Sequence, residues 1–315
     1  MFTYQIKSLP NEDISILVKL DNHSWNYLCE CGDASLLTVK EIQNCNAIFI
    51  SHTHIDHFVN FDAIIRHQIG IQRSVVICGP KNIAQQIQAR LQSYTWNLIE
   101  ENAITYEIRE LTSTNTITKY ELKPPFWQLE QLSTEASNLL FKTKAFEVSG
   151  ILLDHKTPTL AYRFKENNTV KIDIQSSGFK GGKWVKELKD AFTSNTDPTI
   201  TIESQSYQAK ELFHLLQVQE GDSLGIIMDH AAHSENHLKI KKHFYHCNQV
   251  LIESFYKNED KEFAEINFHS YAKKSAEIMR LSKVKQATPV HFSRKYQETD
   301  IVEIIQQFNN ELKTS

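Results

Sequence analysis

An apolar strand that leads directly into a cluster of histidine and aspartate residues is the feature that most constrains this chain. Residues 47–50 are apolar, and the six residues that begin at His52 form the pattern His-x-His-x-Asp-His. In a loop at a strand end, ligands two residues apart can converge on one ion, and imidazole and carboxylate groups bind Zn²⁺ at about 2.0–2.2 Å. Asp56 and His57 cannot easily bind the same ion as His52 and His54, so the two pairs together predict a site for two metal ions. A chance run of polar residues is the alternative, but the complete pattern after a buried strand is much rarer than a stray histidine pair.

Apolar runs of strand length alternate with segments of helical spacing, which predicts a layered α/β fold. Strand-length runs occur at residues 75–78, 224–228 and 249–252. Helical spacing occurs at residues 61–71, 83–98, 270–281 and 301–312. Residues 165–200 are polar, and we expect a loop there with a short helix from Trp184. A chain of 315 residues that is 41% apolar can form one large domain or two small ones.

Charge, hydropathy and cysteine content disfavour three classes of protein: those that bind nucleic acid over their whole surface, those that span a membrane and those held together by disulfides. Lys and Arg number 34 against 38 Asp and Glu, so the net charge of −4 requires that any contact with nucleic acid come from a local patch. No apolar run approaches the roughly 20 residues that a bilayer requires, and the first residues lack the pattern of a signal peptide. Five scattered cysteines are expected to be reduced thiols. We therefore expect a cytoplasmic protein with no membrane segment.

Five further motifs narrow the interpretation of the histidine cluster. The pattern at residues 52–57, preceded by the turn Cys31-Gly32-Asp33, resembles the metallo-β-lactamase superfamily. The further motifs resemble ribonuclease Z, a member of that superfamily, and lie in the order expected at residues 153–163, 178–184, 251–255, 268–270 and 290–296. The resemblance implies a four-layered αβ/βα sandwich. It also implies that residues 1–315 form a single hydrolase domain, with an insertion like a substrate arm around residues 165–220.

Carried over residue by residue, the resemblance implies seven metal ligands: His52, His54, Asp56, His57, His155, Asp229 and His291. His52, His54 and His155 would bind the first ion. Asp56, His57 and His291 would bind the second ion, and Asp229 would bridge the two. The cofactors are therefore expected to be two divalent ions, with Zn²⁺ as the first choice and Mn²⁺ or Fe as alternatives.

The resemblance also implies the catalytic groups. Asp56 would accept the proton of the attacking water while it binds metal. Glu253 would orient His269, which would donate a proton to the leaving oxygen. Contacts to substrate phosphate are predicted for three residues near the end of the chain: Ser293, Arg294 and Lys295.

The function implied is a dinuclear metal-dependent phosphodiesterase that cleaves precursor tRNA at its 3′ side, with a homodimer as the family tendency. A hydrolase of the same fold that acts on a small or cyclic nucleotide phosphodiester is the alternative. A non-catalytic relative is disfavoured, because every expected ligand is present.

Two departures from the family pattern keep the choice of substrate open. His230 follows Asp229 where the family has Thr, and Lys295 replaces a family Arg. We expect His230 and His233 to be solvated loop histidines. The lysines that recur over residues 180–189 predict either contact with RNA or a solvated helix face.

Overall fold

The chain divides into two compact units. The structure, a computed structural model, describes the backbone of residues 1–314 and their side chains except that of residue 176. The larger unit contains residues 1–165 and continues from residue 222 to the end of the described chain, and the smaller unit contains residues 166–221. Within residues 1–314, no helix is both long and apolar enough to cross a membrane. All five cysteines are free and buried, which confirms the expected thiols.

The strands are, in chain order, β1 (Phe2–Ile6), β2 (Ile16–Leu20), β3 (Asn26–Cys29), β4 (Cys45–Phe49), β5 (Ser74–Pro80), β6 (Thr105–Ser113), β7 (Thr116–Leu122), β8 (Glu130–Glu135), β9 (Leu139–Lys142), β10 (Phe146–Asp154), β11 (Pro158–Glu166), β12 (Thr169–Ile172), β13 (Thr199–Ile202), β14 (Gln205–Gln208), β15 (Leu216–Gln219), β16 (Ser223–Ile227), β17 (Gln249–Glu253) and β18 (Gln286–Val290). The α-helices are α1 (Val39–Gln43), α2 (Ile55–Phe58), α3 (Phe61–Gln68), α4 (Ile83–Gln92), α5 (Ile174–Ser177), α6 (Lys183–Ser194), α7 (Ser234–His243), α8 (Lys261–Asn267), α9 (Ala272–Leu281) and α10 (Glu298–Leu312). Two 3₁₀ helices lie at Ala209–Leu215 and Asn258–Asp260.

Two mixed sheets form the centre of the larger unit. The first has eight strands in the order β1 to β8, and its members β3 to β6 are parallel neighbours. The second has the order β18-β17-β16-β11-β10-β9, and β16, β17 and β18 are parallel. Parallel strands place their carboxyl ends at one edge of a sheet, where side chains from distant segments can meet.

Alternating side chains along the strands build the four layers. In β4, Ala47 and Phe49 pack into an apolar core that also contains Tyr162 and Leu251 of the second sheet. Ile48 lies on the opposite face, in a second core with helices α3 and α4. Helices α7, α9 and α10 likewise cover the outer face of the second sheet. Because both faces of the central strands are covered, strands such as β4, β5, β16 and β17 are largely apolar and buried, and the predicted four-layered α/β sandwich is confirmed.

Two predicted elements differ from the structure. The helix expected over residues 83–98 ends at Gln92, and the Trp96 indole nitrogen donates to the Leu91 carbonyl oxygen at 2.5 Å just beyond that end. Residues 165–200 are not mainly a loop, since they contain β12, α5 and the start of β13. The helix expected from Trp184 is present as α6. In α6, Trp184, Leu188 and Ala191 are buried at helical spacing.

The smaller unit has its own apolar core. Trp184, Leu188 and Ala191 pack with residues of β13 and with Leu212 of the first 3₁₀ helix. Two antiparallel pairs, β12 with β15 and β13 with β14, complete the unit. Its exposed residues are largely polar, because most of its apolar side chains are buried in the small core.

We expect Gly32→Ala to destabilise the larger unit. A Cβ atom at residue 32 would lie 2.4 Å from the Asp13 carbonyl carbon and 2.6 Å from the Ile14 oxygen, and backbone cannot move aside as a side-chain tip can. The expected loss is about 1–3 kcal/mol in the free energy of unfolding, measured by urea denaturation. Gly181→Ala is the control, because nothing lies within 4 Å of its added Cβ. Equal unfolding midpoints for the two variants would contradict this prediction.

Candidate metal centre

The structure brings the seven predicted ligands together at the carboxyl ends of strands from both sheets of the larger unit. The segment after β4, which includes α2, carries four of them, and β10, β16 and β18 are each followed by one. They form two overlapping groups that share Asp229, and within each group the ligand atoms lie within 4.8 Å of one another.

Three histidines surround one side of the Asp229 carboxylate. The Nε2 atoms of His155 and His52 lie 3.4 and 3.8 Å from Asp229 Oδ2. The rings of His52 and His54 are 4.3 Å apart between centroids. His52 and His155 are buried, whereas His54 is exposed and reaches the group from the solvent side.

The second group gathers around the other oxygen of Asp229. His57 Nε2 and His291 Nδ1 lie 3.2 and 2.9 Å from Asp229 Oδ1. Asp56 Oδ2 completes the group, 3.4 Å from His57 Nε2 and 3.6 Å from His291 Nε2. Each Asp229 oxygen therefore faces a different group of predicted ligands.

Several buried polar atoms in the two groups fit bound cations. Within the described side chains, these atoms have no hydrogen-bond partner: His52 Nε2, His57 Nε2, Asp229 Oδ1 and His291 Nδ1. An unpaired buried nitrogen or oxygen costs roughly 1–3 kcal/mol, so such atoms rarely cluster without a ligand. A donor set of imidazoles and carboxylates is one that Zn²⁺ accepts, and the residues present therefore fit two divalent ions.

The electrostatics of the two groups differ. Burial opposes ionisation of Asp229, but the imidazoles of His291 and His57 outweigh burial and hold the pKa of this carboxyl well below its usual range. Burial also opposes the charge on His291, yet the carboxylates of Asp229 and Asp56 raise its pKa to about 9. The pKa of His52 is lowered by burial and by the neighbouring His57. The carboxylates therefore favour the charged form of His291, whereas burial favours the neutral form of His52.

Sequence analysis missed Glu30, a buried carboxylate that orients two ligands. Its Oε2 accepts from His57 Nδ1 and from Ser51 Oγ, each at 3.0 Å, and Ser51 Oγ in turn lies 3.0 Å from His52 Nδ1. Each imidazole thus uses Nδ1 for support and directs Nε2 to the ligand cluster, as metal-binding histidines generally do. The available signal was a charged residue at the end of the apolar run at residues 27–31.

The predicted pair of Glu253 and His269 is present beside the ligands. Glu253 Oε1 and His269 Nδ1 are in hydrogen-bond contact, and His269 Nδ1 lies 3.8 Å from Asp229 Oδ2. The His269 ring stacks on Phe255, with centroids 3.8 Å apart and an angle of 3° between the planes. The Phe268 carbonyl, just before His269, accepts from His155 Nδ1 at 2.6 Å.

The expectation of solvated loop histidines was wrong for His230. This residue is fully buried. Its polar groups have partners inside the protein, since its backbone N–H donates to Glu253 Oε2 at 2.9 Å and its Nδ1 lies 2.9 Å from the Met228 carbonyl oxygen. His233 is partly exposed, and its Nδ1 accepts from the Asn236 N–H in the first turn of α7.

The three residues predicted to contact phosphate already have partners in the protein. Arg294 lies 3.1 Å from Asp13 and 3.0 Å from Asp33, although its side chain is 63% exposed. Lys295 Nζ lies 2.9 Å from Asp260 and over the ring of Tyr256. Ser293 is almost buried, and its N–H donates to the Phe255 carbonyl. Their contact with substrate stays a prediction.

We expect Glu30→Gln to weaken metal binding without unfolding the protein. An amide offers one acceptor oxygen where the carboxylate accepts from Ser51 N, Ser51 Oγ and His57 Nδ1, so at least one supporting contact is lost. The expected fall in Zn²⁺ affinity is roughly 10–100-fold, measured by competition with a chromophoric chelator. Glu130→Gln, an exposed change on β8, is the control. Unchanged affinity in Glu30→Gln would disprove the orienting role.

Comparison with known proteins agrees with this geometry. No family model matches the chain. Ribonuclease Z of Deinococcus radiodurans is 25% identical over 97% of this chain and 94% of its own length. The short form of human tRNase Z superposes with a TM-score of 0.56, at 16% identity over 94% of both chains. The metallo-β-lactamase fold protein YhfI of Bacillus subtilis superposes with a TM-score of 0.57, at 9% identity over 99% of this chain and 92% of its own length. The chain therefore has the metallo-β-lactamase fold and is related in sequence to ribonuclease Z along nearly its whole length, which confirms the resemblance predicted from its motifs.

Proposed function

We propose that the protein is a dinuclear metal-dependent phosphodiesterase that cleaves precursor tRNA at its 3′ side. The observation that carries this proposal is the buried Asp229 carboxylate, whose two oxygens face two separate ligand groups. Similarity to ribonuclease Z over 97% of the chain supports the choice of substrate. We propose that His52, His54 and His155 bind one ion, that Asp56, His57 and His291 bind the other, and that Asp229 contacts both.

Two bound cations would lower the pKa of a water molecule and neutralise charge on the phosphodiester. We propose that Asp56 accepts the proton of the attacking water. Burial works against its charge, but the neighbouring imidazoles of His291 and His57 hold the pKa of Asp56 far below its usual value. Its side chain is also 33% exposed, so the carboxylate is open to the cleft as well as to the ligands.

We propose that His269 protonates the leaving oxygen. Burial alone would lower its pKa, but the Glu253 carboxylate outweighs burial and raises it. This shift favours the protonated imidazole, the form that a general acid needs. Contact with Glu253 through Nδ1 leaves Nε2 as the nitrogen available to donate that proton.

We propose that the smaller unit, residues 166–221, contacts the RNA. Its exposed lysines include Lys180, Lys183 and Lys186, and the last two lie on the outer face of α6, away from its buried stripe. Lysines on such a face bind phosphates through charge, without recognising sequence. Contact there would add affinity for a long RNA that a small phosphodiester cannot gain.

We further propose Zn²⁺ as the resident metal, a homodimeric assembly and a cytoplasmic location. The histidine-rich ligand set motivates the choice of metal, and the five free thiols motivate a reducing compartment. The tendency of ribonuclease Z to dimerise motivates the assembly. Metal analysis of the purified protein and light scattering test the first and the last of these.

Cleavage of a precursor tRNA, with and without a chelator, tests the function. We expect a chelator to abolish cleavage and Zn²⁺ to restore it. Asp229→Asn, which keeps the shape but removes the charge that both groups share, is expected to lower kcat by about a thousandfold, equivalent to about 4 kcal/mol. Asp21→Asn, an exposed change, is the control. Hydrolysis of bis(p-nitrophenyl) phosphate without any cleavage of tRNA would favour the alternative small-phosphodiester hydrolase.

Charge reversal on the smaller unit tests the RNA contact. We expect the triple change Lys180→Glu, Lys183→Glu and Lys186→Glu to raise the KM for precursor tRNA about tenfold and to reduce its dependence on salt, because fewer counterions are released on binding. The control reverses two exposed lysines of α7, Lys241 and Lys242, and is compared with the double change Lys183→Glu and Lys186→Glu on α6. An equal rise in KM for both variants would show a general charge effect and refute the proposed contact.

A further inference from the structure

We propose that His230 is a positioning residue that holds the Glu253 carboxylate in the orientation that His269 requires for proton donation. The inference rests on the proposed function, since it concerns the leaving-group side of the same reaction. His230 replaces the Thr of the family pattern, and its ring is fully buried behind the ligand cluster. A buried imidazole needs a hydrogen-bond partner inside the protein, because burial without one is unfavourable.

His230 brings two nitrogens to one oxygen of Glu253. Its backbone N–H donates to Oε2 at 2.9 Å. Its Nδ1 lies 3.2 Å from the same Oε2 and 2.9 Å from the Met228 carbonyl oxygen. Because both neighbours of Nδ1 are acceptors, this nitrogen must carry the proton. The N–H donates to the nearer Met228 carbonyl oxygen and presents its positive end beside Glu253 Oε2.

These contacts determine how the carboxylate faces His269. With Oε2 held by His230, the other oxygen, Oε1, is left to contact His269 Nδ1. Phe255 fixes the plane of the His269 ring by parallel stacking, but stacking permits rotation within that plane. The contact with Glu253 removes this freedom, so the direction of the His269 proton depends on the orientation that His230 imposes on Glu253.

The other nitrogen of His230 argues against a role in packing alone. His230 Nε2 is buried and has no hydrogen-bond partner within the described part of the chain. An unpaired buried nitrogen is unfavourable, and an aromatic hydrocarbon ring of similar size would fill the space without that cost. The imidazole is therefore explained by what Nδ1 does.

The experiment compares two variants. His230→Phe keeps an aromatic ring but removes the Nδ1 donor, and His230→Asn has an amide N–H₂ that can replace that donor. Two substrates are used, a precursor tRNA and bis(p-nitrophenyl) phosphate, whose nitrophenolate leaves with little protonation. We expect His230→Phe to lower kcat for precursor tRNA about tenfold with little change in KM, and to lower the ratio of tRNA to small-diester turnover by a similar factor. His230→Asn is expected to recover most of both losses.

Controls separate positioning from folding. Zinc content and melting temperature are measured for each variant, and His23→Phe supplies the same change at an exposed site. A purely structural role predicts the opposite order, with His230→Phe harmless and His230→Asn damaging, or an equal fall for both substrates. Either of these results would overturn the proposal.

Crystal structures of the two variants keep this test independent of the proposed function. Wild-type protein that is inert towards both substrates would defeat the proposed function, but the structures would still decide the role of His230. A Glu253 carboxylate that turns away from His269 in His230→Phe, and returns in His230→Asn, supports positioning. A Glu253–His269 contact that is unchanged in both variants overturns it.

Discussion

The arrangement of this protein depends on a carboxylate that is buried where several imidazoles converge. Asp229 is 1% exposed, and a charge so far from water requires partners on every side. Its oxygens are divided between His52 and His155 on one side and His57 and His291 on the other. These partners come from three separate segments, which follow β4, β10 and β18, so the carboxylate can be satisfied only when both sheets are correctly packed. Folding of the two sheets and construction of the site are therefore the same event.

A second buried carboxylate, Glu30, extends this arrangement away from the ligands. It lies at the end of β3 and supports His57 directly and His52 through Ser51. Glu253 has the same relation to His269 at the end of β17. Each sheet thus places one acidic residue at a strand end, behind the imidazoles rather than among them. His52 and His57 keep their orientation because their outer nitrogens are already engaged, which would lower the entropy lost on binding an ion.

Sequence alone predicted the parts of the site whose geometry is local. The four ligands at residues 52–57 follow from spacing at the end of a strand, and the layered fold follows from apolar periodicity. His155, Asp229 and His291 could be connected to them only through the resemblance to a family, because nothing in local spacing encodes a contact across 100 residues. Their roles as ligands stay a prediction.

Burial of polar residues was the part that sequence could not supply. Glu30 was overlooked because a single acidic residue in an apolar run gives no sign of its partners. His230 was assigned to solvent because most loop histidines are solvated, yet the Glu253 carboxylate and the Met228 carbonyl stabilise it inside the protein. In both cases the deciding partner is remote in sequence or lies in a turn whose geometry the local residues do not determine. Where an unexpected polar side chain is buried at the edge of a catalytic cluster, the identity of that partner is the most direct guide to what the side chain does.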